Sequence, residues 1–245
     1  MSRTAPATRH PLLRGEPHFR WRSPEVSRVE NLSDIVFALV LTLAAAQTIP
    51  ASFADLTNLW RDALALTACF ALILTIWHTH HVFFRRYDLQ DGYTVFLNAV
   101  LLLLVLIFVY PLRFMADFVL TYFTGGFETQ DQIEAVLTVG QVKQLYVIFA
   151  IFYIGVQIVF ALLYAHALKR GAVIDLNEAE RSWTRYEIEV AIGIIAINVL
   201  VIASAYALPA DIGAMSGGLY ALIGLVTWGF GRNAAGRAER ASASP

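Results

Sequence analysis

Apolar residues along this chain are gathered into six long runs that are separated by shorter polar segments. The runs cover residues 31–49, 64–84, 94–114, 142–168, 188–208 and 212–230. A helix needs about 20 mostly apolar residues to cross the hydrocarbon core of a bilayer, and each run is of that order. The pattern predicts an all-α protein with six transmembrane helices.

Helix-breaking residues fall where these crossings are expected to end. They are Pro50, Pro111, the pair Gly125-Gly126, Gly171 and Pro209. The last two runs are joined by only a few residues, from Ala207 to Gly213. We therefore expect the fifth and sixth helices to form a tight hairpin.

Composition supports a membrane location. Hydrophobic residues make up 58% of the 245 residues and charged residues 15%, with a mean hydropathy of +0.59, which is too apolar for an ordinary soluble domain. Cys69 is the only cysteine, so an intrachain disulfide is excluded. The chain is expected to be an integral, multi-pass membrane protein surrounded by lipid.

The distribution of basic residues predicts the orientation. Six crossings place both termini on one side of the membrane, and that side receives fifteen of the eighteen Lys and Arg residues. The other side receives only Arg61, Arg113 and Lys143. Because cytoplasmic loops carry the excess of positive charge, both termini are expected to be cytoplasmic.

The polar ends of the chain suggest three parts. Residues 1–27 contain Pro, Arg and Ser without apolar periodicity and are expected to form a disordered cytoplasmic arm. Residues 28–231 form a single six-helix membrane domain, and residues 232–245 a cytoplasmic tail.

Several polar side chains are expected at one depth near the cytoplasmic ends of the first three helices. Asp34 and His81 each lie about three residues inside a helix, which is ~5 Å at 1.5 Å per residue. Ionisable groups at membrane depth are costly unless paired or functional. We therefore predict a structural polar network that holds three helices together, made of Arg28, Ser33, Asp34, Trp77, His81 and Asn98.

The first helix also carries an apolar stripe. Leu39, Leu43 and Ala46 recur at i, i+4 and i+7, with Thr42 beside them. If this stripe faced a pore, the leucines could gate it by dewetting, and the Thr42 hydroxyl could replace part of a cation's water shell. The residues alone favour the alternative, in which Leu39 and Leu43 face lipid or a neighbouring helix and Thr42 bonds its own helix backbone.

Two other functions are compatible with the polar residues. A proton-coupled secondary transporter would use Asp34 and His81 as a relay, although the middles of the helices offer no ionisable chain that continues it. A membrane haem or quinone protein would use His81 with His166. The sequence shows no nucleophile-and-base pair, phosphate loop, metal signature or nucleic-acid motif, so we expect neither an enzyme nor a resident cofactor.

At the motif level the chain resembles a known family, the prokaryotic relatives of the lysosomal potassium channel transmembrane protein 175. The resemblance rests on an Arg-x-x-x-Phe-Ser-Asp pattern that opens the first helix, here Arg28 to Asp34. It also rests on Trp77 followed by histidines near the end of the second helix and on an Asn-led third run that ends near Pro111. Leu32 stands where the family has Phe.

The resemblance implies a homotetrameric, potassium-preferring cation channel in a bacterial plasma membrane. Four first helices would line a central pore through which potassium and other monovalent cations pass without a cofactor. By the same resemblance the constriction falls on Leu39, Leu43 and Ala46, the threonine layer on Thr42, and the polar motif has a structural role.

Overall fold

Five of the predicted runs form helices long enough and apolar enough to cross a bilayer. This computed structural model describes residues 19–23, 25–46, 52–124, 137–209, 213, 215–225, 227 and 229–230. The helices are α1 (Arg28–Ala46), α2 (Phe53–Tyr87), α3 (Gly92–Phe123), α4 (Val139–Lys169) and α5 (Glu178–Ala207). The prediction of an all-α, multi-pass membrane protein is confirmed.

The backbone N–H groups in the first turn of a helix have no partner within the helix. Where the cap of a helix is described, side chains at the cap accept hydrogen bonds from these groups. Three helices begin with a capping box, in which two side chains accept each other's backbone N–H. The pairs are Ser27 with Glu30 at α1, Thr138 with Gln141 at α4, and Asn177 with Glu180 at α5. At α3 the Asp91 carboxylate accepts from the backbone N–H of Thr94 at 2.9 Å. These polar pairs explain why the apolar runs start their helices where they do.

The sixth predicted crossing, residues 212–230, lies partly outside the described residues. Its described part contains a 3₁₀ helix, Met215–Ala221, that continues as helix to Leu225. The six-helix count therefore stays a prediction. The tail at 232–245 lies outside the described residues altogether.

Pro111 does not end the third helix, contrary to the prediction. α3 continues through it to Phe123 and reaches 32 residues, about 48 Å at 1.5 Å per residue. A proline removes one backbone hydrogen bond, and transmembrane helices tolerate this because neighbouring helices and local adjustments compensate for it. α3 therefore extends well beyond the ~30 Å hydrocarbon core.

α3 is the centre of the helix packing. It contacts α1, α2 and α4, whereas α5 packs on α4 and on the 3₁₀ helix. The main core lies around α3 and includes the fully buried Leu101, Phe108 and Val156. A smaller cluster, with Tyr146 and Val201 at its centre, joins α4, α5 and the 3₁₀ helix. α1 is thus held against the subunit by α2 and α3.

Part of the predicted disordered arm is ordered. Residues 1–18 lie outside the described part, but Phe19–Ser23, here called the strap, pack on the carboxyl-terminal end of α2. Phe19 is buried edge-on against Tyr87, and the backbone N–H of Arg22 donates to the Arg85 carbonyl at 3.0 Å. The strap differs from the expected loose chain because it has an apolar anchor and partners for its backbone.

A single carboxylate ties the strap to α5. Glu180 is completely buried, and its oxygens accept from the Arg20 backbone N–H at 3.0 Å and from the Arg22 guanidinium at 2.7 Å. It also accepts from the backbone N–H of Asn177. The strap and the start of α5 therefore share one charged anchor.

We expect Glu180→Gln to loosen the strap. Glutamine preserves the capping box but leaves two arginines facing a neutral amide, a loss of about 1–3 kcal/mol. The thermal midpoint should fall, and trypsin should cleave at Arg20 and Arg22 faster. Glu178→Gln, at an exposed position two residues earlier, is the control. Equal cleavage rates in both variants would contradict this role of Glu180.

Candidate functional site

One face of α1 is fixed against its own subunit. Ser33, Phe37, Val40 and Ala44 are buried on this face, at intervals of four, three and four residues. Phe37 and Val40 belong to the core around α3. Because these positions share one side of the helix, the opposite side of α1 must point away from the subunit.

The opposite face of α1 is exposed along its whole length. Six residues on this face recur at intervals of four, three, four, three and four, and Asn31, Asp34, Ala38 and Ala45 are exposed beside them. We call this set the α1 seam, and it consists of Arg28, Leu32, Ile35, Leu39, Thr42 and Ala46.

The structure separates the predicted stripe into two parts. Leu39, with 49% of its surface exposed, and Ala46 lie on the α1 seam. Leu43 is half-buried at the edge of the seam and packs on the core of its own subunit. The sequence analysis missed Ile35, which is 67% exposed one turn before Leu39. The alternating four-and-three spacing was the signal that could have identified it.

Thr42 occupies the seam with its hydroxyl oriented by the helix. The hydroxyl donates to the Ala38 carbonyl at 2.9 Å. Thr67 and Thr75 on α2 bond their own helix in the same way, so this bond alone is not diagnostic of function. Because the only hydroxyl hydrogen is used, the oxygen lone pairs remain to accept from water or to contact a cation.

A buried polar triad joins α1, α2 and α3. The Asn98 amide donates to the Ser33 hydroxyl at 3.0 Å, and the Asn98 amide oxygen lies 2.8 Å from Nε2 of His80. An amide oxygen only accepts, so His80 must carry its hydrogen on Nε2. The Ser33 hydroxyl in turn donates to the Val29 carbonyl at 2.8 Å. All three side chains of the triad are buried and hydrogen-bonded.

A second polar contact lies closer to the surface. The Trp77 indole N–H donates to the Asp34 carboxylate at 2.8 Å. The Trp77 ring stacks on the His81 ring at 5.4 Å between centroids, and Trp21 of the strap lies edge-on to His81 at 6.3 Å. The strap therefore contacts His81, which stacks on the indole ring that donates to Asp34.

The predicted six-residue network is thus arranged differently from the expectation. Ser33, Asp34, Trp77 and Asn98 are hydrogen-bonded at the junction of the three helices, but His80 takes the place expected for His81. Residues 80 and 81 point about 100° apart on a helix, and only His80 faces the interior. Arg28 lies on the α1 seam, where it is exposed and makes no hydrogen bond or ion pair with any described residue.

His166, the second histidine of the haem hypothesis, is held by its own subunit. Its Nε2 lies 2.7 Å from the Asp91 carboxylate at the start of α3. Burial alone would raise the pKa of Asp91, but hydrogen bonds from Thr94 and His166 lower it to about 2. Among the described residues, no group of three or more His, Cys, Asp or Glu side chains is placed to hold a metal ion.

Sequence comparisons identify related proteins. The family described as the endosomal/lysosomal potassium channel TMEM175 matches residues 28–111. A potassium channel of Marivirga tractuosa is 38% identical over 168 residues, which are 67% of this chain and 68% of that protein. A potassium channel of Chamaesiphon minutus is 30% identical over 105 residues, 39% of this chain and about half (52%) of that protein.

Solved structures share the fold. A crystal structure of a variant of the potassium channel MtTMEM175, bound to a nanobody–MBP fusion, matches with a TM-score of 0.76 and 32% identity, covering 89% of this chain and 97% of that chain. A lysosomal potassium-selective channel TMEM175 homologue from Chamaesiphon minutus matches with a TM-score of 0.50 and 21% identity, covering 84% and 96%. The second match supports the fold alone.

The two neighbouring histidines should respond differently to substitution. His80→Leu leaves the Asn98 oxygen buried without a donor, so we expect a loss of about 1–3 kcal/mol in stability. His81→Leu, the matched control, removes ring contacts with Trp77 and Trp21 at a half-buried position, leaves no buried polar group without a partner and should cost less. Thermal unfolding of the detergent-purified protein measures both. A larger loss for His81→Leu would contradict the assignment of His80 to the triad.

Proposed function

The chain belongs to the TMEM175 family of potassium channels, and on this basis we propose that it is a passive, potassium-preferring cation channel. Two related proteins are potassium channels, and the solved channel with a TM-score of 0.76 shares the helix arrangement over most of this chain. In this proposal four six-helix subunits surround one pore, with both termini in the cytoplasm.

The exposure of the α1 seam is the main observation that supports a pore lined by α1. Other copies of α1 around a shared axis would cover this exposed face, because the four-and-three spacing keeps one face turned inward along the whole helix. Among the described helices, the main packing partners of α1 are α2 and α3, and the seam faces away from both. α1 is therefore the pore-lining helix in this proposal.

The side chains of the seam suggest how the pore would work. Four Leu39 side chains would form a hydrophobic ring that excludes water and controls conduction, and four Thr42 oxygens beside it would contact a partly dehydrated cation. Ala46 would leave a wider ring on the outer side. Leu43, at the edge of the seam, would support the ring from behind. Selectivity from hydroxyl oxygens and pore diameter should be modest.

The proton-coupled transporter is less well supported by the geometry. Asp34 accepts from Trp77 and His81 stacks on that same ring, so the two ionisable groups are not hydrogen-bonded to each other. A relay would need them in contact directly or through water, with further groups leading outward.

Ion flux separates the two functions. Liposomes that contain the protein and potassium should develop an inside-negative voltage when diluted into sodium, without ATP or a pH gradient, because potassium leaves down its own gradient. A voltage-sensitive dye measures this. The detergent-purified particle should have four times the 27.2 kDa chain mass. Flux that requires a proton gradient would instead indicate the transporter.

Replacement of the proposed constriction should increase conduction. Leu39→Asn makes the ring polar and lowers the cost of wetting it, so we expect a severalfold larger single-channel conductance. Ile148→Asn on α4 is the control, since Ile148 has nearly the same exposure (47%) but lies away from α1. Planar-bilayer recordings measure both. Unchanged currents in an intact Leu39→Asn tetramer would remove Leu39 from the constriction.

A further inference from the structure

The α1 seam begins with a charged residue. Arg28 lies four residues before Leu32, in step with the spacing that continues to Ala46. Eighteen residues are five full helical turns, so Arg28 and Ala46 lie on the same line along the helix. If Leu39 faces a pore axis, Arg28 therefore faces the same axis, about 16 Å nearer the cytoplasm at 1.5 Å per residue.

Both acidic groups of α1 near Arg28 are engaged elsewhere. The Glu30 carboxylate is buried, bonds the backbone N–H of Ser27 and approaches the Arg85 guanidinium at 3.8 Å. Asp34 accepts from Trp77 and lies about 120° around the helix from Arg28. Glu25 is exposed before the helix begins. Arg28 is exposed and makes no hydrogen bond or ion pair with any described residue.

We propose that Arg28 forms a ring of positive charge at the cytoplasmic mouth of the pore, which makes potassium pass more readily inward than outward. This inference rests on the proposed function, because it requires α1 to line the pore. Four guanidinium groups around a narrow mouth lower the local concentration of cations there. Outward current draws its ions from that mouth, whereas inward current draws them from the outer side.

The effect is electrostatic and should depend on salt. In symmetric solutions of about 0.1 M potassium chloride, where the Debye length is ~10 Å, the ring should reduce outward current relative to inward current by on the order of threefold. In about 1 M salt, where the Debye length is ~3 Å, wild-type currents should become symmetric. This comparison needs no substitution.

Charge substitutions test the assignment to Arg28. Arg28→Gln should raise outward current and make the currents symmetric in low salt, whereas Arg28→Lys keeps the charge and should keep the asymmetry. Arg185→Gln is the matched control, because Arg185 is also exposed but lies on α5, which packs on α4 and the 3₁₀ helix. It should leave the ratio of outward to inward current unchanged.

Chemical modification tests whether the charge at position 28 causes the current asymmetry, because it changes that charge in a channel that is already assembled. Arg28→Cys should behave like Arg28→Gln until a cationic methanethiosulfonate applied from the cytoplasmic side restores the asymmetry, whereas an anionic reagent should increase outward current further. Cys69, the only native cysteine, is completely buried, so the wild-type channel should not respond.

Two results would overturn the inference. The first is an Arg28→Gln tetramer whose current ratio equals that of the wild type in low salt. The second is a loss of the tetramer in Arg28→Gln that Arg28→Lys restores, which would make Arg28 a contact between subunits. In both cases the wild type still conducts potassium. A wild type without potassium current would instead overturn the proposed function itself.

Discussion

The rotation of α1 about its own axis is the constraint on which the rest of the structure depends. Ser33, Asn98 and His80 are buried among apolar side chains, where an unpaired polar group costs far more than in water. Their hydrogen bonds can form only when Ser33 faces α2 and α3. That orientation turns the α1 seam outward, and a rotation by one residue position would break the triad and bury part of the seam.

The strap extends this constraint to the carboxyl-terminal end of α2. It leads directly into the cap of α1, is bonded to α2 through the Arg85 carbonyl, and reaches α5 through Glu180. Trp21 of the strap also contacts the His81 ring, which stacks on the tryptophan that holds Asp34. The start of α1 is therefore connected through the strap to the end of α2 and the start of α5.

The differences from the sequence analysis have identifiable physical causes. Adjacent histidines cannot be assigned to an interior or an exposed face without the neighbouring helices, which is why His81 was chosen in place of His80. Pro111 was expected to end α3, because local propensity disfavours proline in a helix, but packing in the membrane compensates for one missing hydrogen bond. The strap was missed because its anchors, Tyr87 and Glu180, are distant in sequence.

The sequence by itself determined the membrane location, five of the helices and the polar positions at the junction of α1 to α3, since these follow from apolar run length and from the cost of burying polar groups. It also contained the four-and-three spacing of the α1 seam. Only the tertiary structure decided which polar groups pair, that Leu43 turns to the core while Ile35 and Arg28 share the seam, and where the strap docks. These outcomes depend on how neighbouring helices are rotated, which short-range periodicity does not specify.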